Sequence, residues 1–198
     1  MDTSSIRSFI AVELPDIVRR QLESLTRELK ESDAPVGWVR PEGIHLTLKF
    51  LGNISPELVQ QMKPVLAGIG SRAGPIHLQP AGCGAFPTIK QPRVIWVGLR
   101  GESEPLVELQ KQVERAMVPF GFAPEDRPFR PHLTLGRVKG RQRLLALQQI
   151  LLARREFTAE AFDVTELVLY KSELRPDGAR YTPQFKAPLA WRPSLVDE

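Results

Sequence analysis

With 198 residues, 42% of them hydrophobic and 25% charged, the chain is long enough for one compact domain with a sizeable core. No run of about 18 apolar residues is present, which excludes a membrane-spanning helix. A single cysteine, Cys83, excludes an internal disulfide and a thiolate metal cluster, and the net charge of +4 is compatible with a polyanionic partner without requiring one.

Residues 7–14 (RSFIAVEL) are rich in β-formers and stop at Pro15, after which residues 16–30 place Ile17, Leu22, Leu25 and Leu29 at helical spacing. This reads as strand, then helix. Residues 44–51 (IHLTLKFL) alternate as a strand up to Gly52-Asn53, and Ser55 is placed to cap a helix over residues 57–69. Residues 76–81 and 93–99 read as strands joined by a loop over residues 82–92, rich in Gly, Pro and Phe, that could wall a site. A helix is expected over residues 105–120, a strand over 132–138, a helix over 142–153, a strand over 162–170 and a last strand over 181–185. Neighbouring strands of this kind can pair antiparallel, so the order favours α+β over a doubly wound parallel sheet, in one domain over residues 1–198. Met1 to Ile10 lacks the basic region, hydrophobic run and cleavage site of a secretory signal, so the cytosol is the expected compartment.

One internal repeat stands out. RPEGIHLTLKF ending at Phe50 and RPFRPHLTLGR ending at Arg137 share Arg-Pro followed by His-Leu-Thr-Leu, in segments of equal length, which suggests two related halves facing each other. Two of the three histidines, His45 and His132, begin these tetrapeptides, and Thr47 and Thr134 follow two positions later. On a strand, residues i and i+2 share a face, so each imidazole stands beside a hydroxyl while Leu46, Leu48, Leu133 and Leu135 pack behind. A single such strand would be an ordinary amphipathic one; a duplicated one brings two imidazoles and two hydroxyls to one cleft. That set supplies a base, an acid and hydrogen-bond donors for phosphoryl oxygens. A neutral and a protonated imidazole can coexist near neutral pH, and Thr suits orientation of a phosphate better than attack on it. A zinc site is the competing reading of two histidines, but no HExxH is present and Thr is not a usual zinc ligand, so no metal or cofactor is expected. His77 has Gln79 where the others have Thr and reads as a structural or surface histidine.

These residues resemble the two-histidine phosphoesterase superfamily, defined by paired His-x-Thr-x motifs, and within it the RNA 2',3'-cyclic phosphodiesterase branch, also called 2'-5' RNA ligases. Arg7-Ser8-Phe9-Ile10-Ala11, Trp38-Val39-Arg40-Pro41, Phe50-Leu51-Gly52, Phe86-Pro87, Pro92-Arg93-Val94-Ile95-Trp96 and Phe129-Arg130-Pro131 extend the resemblance over nearly the whole chain. It implies a bilobal α+β fold, two pseudo-symmetric lobes each with an antiparallel sheet and flanking helices, and a cleft between them. It also implies hydrolysis of RNA 2',3'-cyclic phosphate ends to 2'-phosphates without metal. His45 would protonate the leaving 3'-oxygen, His132 would activate water, and Thr47 and Thr134 would hold the phosphate. RNA with cyclic phosphate ends, tRNA halves or cyclic nucleotides would be the partners of a monomer.

Phe50 and Arg137, five residues after each histidine, occupy positions that the family associates with the nucleotide and the phosphate. Strand parity objects, because an odd offset points to the opposite face unless the ladder is interrupted; Gly136 could host a bulge, whereas Lys49 gives no such hint. Arg130, before Pro131, is a further candidate for the cleft, and Trp38, Phe86 and Trp96 could stack on bases or pack in the core. Two other functions use the same groups: reversible 2'-5' RNA ligation, and nucleotide or RNA binding without turnover.

Overall fold

The computed structural model describes residues 5–175 and 178–190, so the first four residues of the segment read for a secretory signal lie outside it. Its chain order is β1 (Ile6–Val12), α1 (Asp16–Lys30), β2 (Val36–Trp38), β3 (Leu46–Ile54), α2 (Pro56–Gly70), β4 (Ile76–Thr88), β5 (Gln91–Gly101), α3 (Ser103–Met117), β6 (His132–Val138), α4 (Leu144–Ala153), β7 (Phe162–Val164), β8 (Glu166–Arg175) and β9 (Gly178–Pro188), with short 3-10 turns at Pro41–Gly43 and Val118–Phe120. The strands run β7-β4-β5-β6-β3-β1-β8-β9, with β2 added to β6, and their pairings are antiparallel. β3 and β6 meet at one residue pair, Leu46 with Leu133, so the curled sheet is two antiparallel halves joined through the two repeat strands.

Helices cover the convex side in pairs. α2 lies on β8 and β9 and against α3, whereas α4 lies on β4 and against α1. Each half therefore keeps the helix that follows its motif strand and lends the preceding one to the other half. The reason is visible in the residues: α1 buries Val18, Leu22, Leu25 and Leu29 along one stripe. Ile17, expected on that stripe, is 42% exposed and Val18 takes its place. In α3 the stripe includes two polar residues, Gln110 and Glu114, which meet β3. Ser55 caps α2 as expected, its Oγ accepting from the Leu58 N–H at 3.2 Å.

Two expectations change, and one strand is new. Residues 82–92 are not a loop: β4 and β5 continue through them as a long hairpin. Their Gly and Pro residues mark irregularities within the ladder. Gly82, at φ 74°, is skipped in the pairing between Ala81 and Cys83, and Gly84 lets the Trp96 ring lie where a Cβ would be 2.6 Å from it. Residues 162–170 are two strands, not one. β7 pairs with β4 at one end of the sheet and β8 with β1 at the other, because the chain crosses between halves at Thr165. β2, too short to signal itself in sequence, pairs with β6.

The main core lies between sheet and helices and holds all four motif leucines. Phe9, Ala11, Val168 and Tyr170 form a separate small cluster on the concave face, with Tyr181 against it. Alternation along β1 explains the division, since Ile10 and Val12 point to the main core. Cys83 is buried, which pushes its thiol up to about 12 and leaves it unreactive. Among the described residues no helix is long and apolar enough to cross a membrane.

Candidate active site

Each motif histidine is locked by its own chain. The ring Nδ1–H of His45 donates to the carbonyl of Gly43 at 2.8 Å, and that of His132 to the carbonyl of Arg130 at 2.7 Å. A carbonyl can only accept, so Nδ1 carries the hydrogen in both rings and Nε2 is left as the exchangeable nitrogen. The register of Leu46 with Leu133 sets His45 across from Thr134 and Thr47 across from His132. In a regular ladder the two histidines would then be diagonal neighbours, with backbone positions about 7–8 Å apart.

The odd offset of Phe50 and Arg137 is resolved by the ladder itself. Along β1, Ile10 pairs with Lys49 and Ala11 with Thr47, so Leu48 is skipped; along β5, Ile95 pairs with Gly136 and Trp96 with Thr134, so Leu135 is skipped. The same bulge thus falls at the second leucine of both motifs. Each bulge inverts strand parity, bringing the residue five after the histidine round to the face of the threonine. His45, Thr47, Phe50, Thr134 and Arg137 accordingly line one cavity of about 380 Å³, together with Arg7, Phe9, Tyr181 and the β8–β9 end. Lys49 points away into the protein, where its ammonium meets Glu114 at 2.5 Å and the Ala123 carbonyl at 3.0 Å.

Aromatic rings buttress both imidazoles. Phe9 stacks on His45 with centroids 4.6 Å apart, and Tyr181 meets the same ring edge-on at 5.1 Å. Phe86 meets His132 edge-on at 5.1 Å and is itself packed against Trp96. Burial lowers His45 to about 4, against a backbone hydrogen bond to Gly43 that works the other way, with Arg19 lowering it further. His45 is therefore neutral near neutral pH in the protein alone.

Of the sequence-predicted residues, His132 and Arg130 are not among those lining this cavity: the ring of His132 stands on β6 two residues from Thr134, which does line it, and the Arg130 side chain is exposed while its carbonyl holds His132. Phe86 and Trp96 support His132, while Trp38 packs against the core and lines a smaller cavity of about 140 Å³ beside α1. His77 is a surface residue, 2.8 Å from Asp163. Sequence reasoning assigned no role to Phe9 or Arg7, although both lie in the RSFIA segment that carries the resemblance, and it missed Tyr181, which carries no local signal beyond its place on a strand. Among the described residues no three His, Cys, Asp or Glu side chains gather as a metal site.

A profile of the 2'-5' RNA ligase superfamily matches residues 14–176, a span containing both motifs. The chain belongs to this superfamily. Within the superfamily it is similar to proteins named RNA 2',3'-cyclic phosphodiesterase from Methanothermobacter thermautotrophicus, 33% identical over 89% of this chain and 95% of the relative, and from Aeropyrum pernix, 34% identical over 81% and 90%. The fold is similar to those of TT0787 of Thermus thermophilus, at TM-score 0.77 and 28% identity, and of Escherichia coli LigT complexed with 3'-AMP, at TM-score 0.73 and 26% identity. Each comparison covers 94% of this chain and 99% of the other.

Proposed function

We propose that this chain is an RNA 2',3'-cyclic phosphodiesterase that opens the cyclic phosphate to a 2'-phosphate by two-histidine acid–base catalysis without a metal ion. The observation that best supports the mechanism is the matched pair of Nδ1–carbonyl bonds, which turn two Nε2 atoms to proton exchange on one sheet. Water gives a proton to His132 Nε2 as its oxygen attacks phosphorus. The bond from phosphorus to the 3'-oxygen breaks, and His45 Nε2 delivers a proton to that oxygen. Thr47, Thr134 and Arg137 hold the phosphoryl oxygens, and the 61% exposed ring of Phe50 offers a face to the base. The reading carries with it a monomeric, cytosolic enzyme acting on RNA ends, tRNA halves or cyclic nucleotides, with no cofactor.

The proton on His45 arrives with the substrate. A phosphate anion about 4 Å from the ring, at an effective dielectric near 20, favours the imidazolium by ~4 kcal/mol, or roughly a thousandfold in its protonation equilibrium. That outweighs the depression by burial. The lowered pKa of His45 also favours a second reading, in which neutral His45 is the base and His132 the acid. Replacement of the leaving 3'-alcohol by a nitrophenolate, which needs little protonation, separates the two. Rescue of His45→Ala identifies His45 as the acid, and rescue of His132→Ala reverses the assignment. The function itself is tested by incubating oligonucleotides bearing 2',3'-cyclic ends with exhaustively chelated protein and analysing the ends. Sustained turnover to a 2'-phosphate is expected. A 3'-phosphate product, a rate restored only by zinc or magnesium, or binding without turnover would sink the reading.

A further inference from the structure

The cavity lining contains two charged residues, Arg7 and Arg137, and no carboxylate. Neither guanidinium forms an ion pair among the described residues, and both act electrostatically on the Tyr181 hydroxyl. Two cations facing one cavity repel each other until anionic oxygens enter it. Arg137 belongs to a motif strand and lies beside the reaction centre. Arg7 does not. Ala11 pairs with Thr47, and Arg7 stands four residues further along β1, about 13 Å away at strand rise. It lies one residue past the Ser8–Lys171 pair, at the level of Ser172, which pairs with Tyr181. Arg7 shares its face of β1 with Phe9 and Ala11, so it looks into the cavity. Between the two levels is the Phe9–Phe50 pair, with the exposed Phe50 ring. The order along the cavity is thus His45 with the two threonines, then the Phe9–Phe50 pair, then an arginine. It reproduces the order phosphate, nucleoside, phosphate.

We infer that Arg7 reads a second phosphate, the one on the 5'-oxygen of the nucleoside whose cyclic phosphate lies between the histidines. This rests on the reading of the site as one for cyclic phosphate ends. Arg7 then makes the enzyme select phosphorylated or oligomeric ends over a cyclic nucleotide with a free 5'-hydroxyl. The phosphate is either a 5'-monophosphate or the internucleotide link of an RNA chain.

The test compares kcat/KM for a nucleoside 2',3'-cyclic phosphate with a 5'-hydroxyl, the same compound with a 5'-phosphate, and a dinucleotide ending in the cyclic phosphate. The wild-type protein should prefer at least one phosphate-bearing substrate by about 10- to 100-fold, the value of one charge-assisted hydrogen-bonded contact. In Arg7→Ala that ratio should collapse towards one, and Arg7→Lys, which keeps charge but loses the fork, should fall between. Preference for the dinucleotide alone assigns the internucleotide link, and preference for the 5'-monophosphate alone assigns a terminal group. An equal loss on all three substrates in Arg7→Ala would put Arg7 on the cyclic phosphate and overturn the inference, as would a wild-type ratio near one. Calorimetric binding of a nucleoside 3',5'-bisphosphate against the 3'-monophosphate reads the same preference without turnover. An inactive protein that still favours the bisphosphate through Arg7 would refute the hydrolytic reading and leave the second phosphate site standing.

Discussion

The two His-Leu-Thr-Leu segments have the same residues, the same bulge and the same Nδ1–carbonyl bond, yet they are held in different ways. His45 shares a three-ring cluster with Phe9 and Tyr181 and is lowered to about 4 by burial, whereas His132 meets Phe86 edge-on. The first bulge is pinned by side chains of α3: Gln110 donates to the Leu48 carbonyl at 3.5 Å and Glu114 grips Lys49. The second is pinned by backbone, the Val39 N–H donating to the Leu135 carbonyl at 2.8 Å beside β2. One tetrapeptide can therefore be held in two different surroundings, and at His45 it is burial rather than residue type that lowers the imidazole's proton affinity.

The largest expected break in this comparison is at the imidazoles. His45→Ala and His132→Ala should each lower kcat by about 10²- to 10⁴-fold with the fold retained, as for loss of a general acid or base. A rate near wild type in either variant, measured on a cyclic-ended oligonucleotide, would rule out the paired scheme. Next comes the side-chain pin. Lys49→Ala leaves Glu114 buried and unpaired, and should destabilise the protein by about 3–5 kcal/mol in a denaturant titration, whereas the double variant Lys49→Met, Glu114→Leu should lose less than Lys49→Ala.

The burial of His45 has a consequence for stability. Its folded pKa lies below the unfolded value near 6.5, so unfolding takes up a proton between pH 6.5 and 4. The contribution is fully present above pH 6.5 and falls as pH drops towards 4, by on the order of 3 kcal/mol. His45→Asn should flatten that part of the stability profile; an unchanged slope would place the proton elsewhere. The backbone pin is tested by Gly136→Ala, whose Cβ would stand 2.6 Å from Val36 and 2.9 Å from Trp38. Overpacking of this kind should lower stability by about 1–3 kcal/mol and loosen β2 in hydrogen exchange while leaving β3 protected. The smallest effect is expected at the hydroxyls, where Thr47→Ala and Thr134→Ala should each reduce kcat/KM by about tenfold, since other donors to the phosphate remain.

The sequence by itself determined the α+β class, the four α-helices, the equivalence of the two halves and the four motif side chains, because periodicity and a repeat are local patterns. His45 and Thr47 share a cavity because they are two residues apart on one strand, and the leucines between them reach the core for the same reason. Tertiary structure decided the rest. Whether Phe50 and Arg137 face that cavity depends on skipped residues at Leu48 and Leu135, and those are set by pairing with β1 and β5, strands distant along the chain. Lys49 carries no sign of this in sequence, since what draws it inward is Glu114, 65 residues away. The Gly- and Pro-rich residues 82–92 misled for a related reason: such residues punctuate a chain locally, but only a partner strand decides whether they end a ladder or bend it. Arg7 and Tyr181 came to one cavity in the same way, through the register of β1, β8 and β9, which no pattern within any one of those strands encodes.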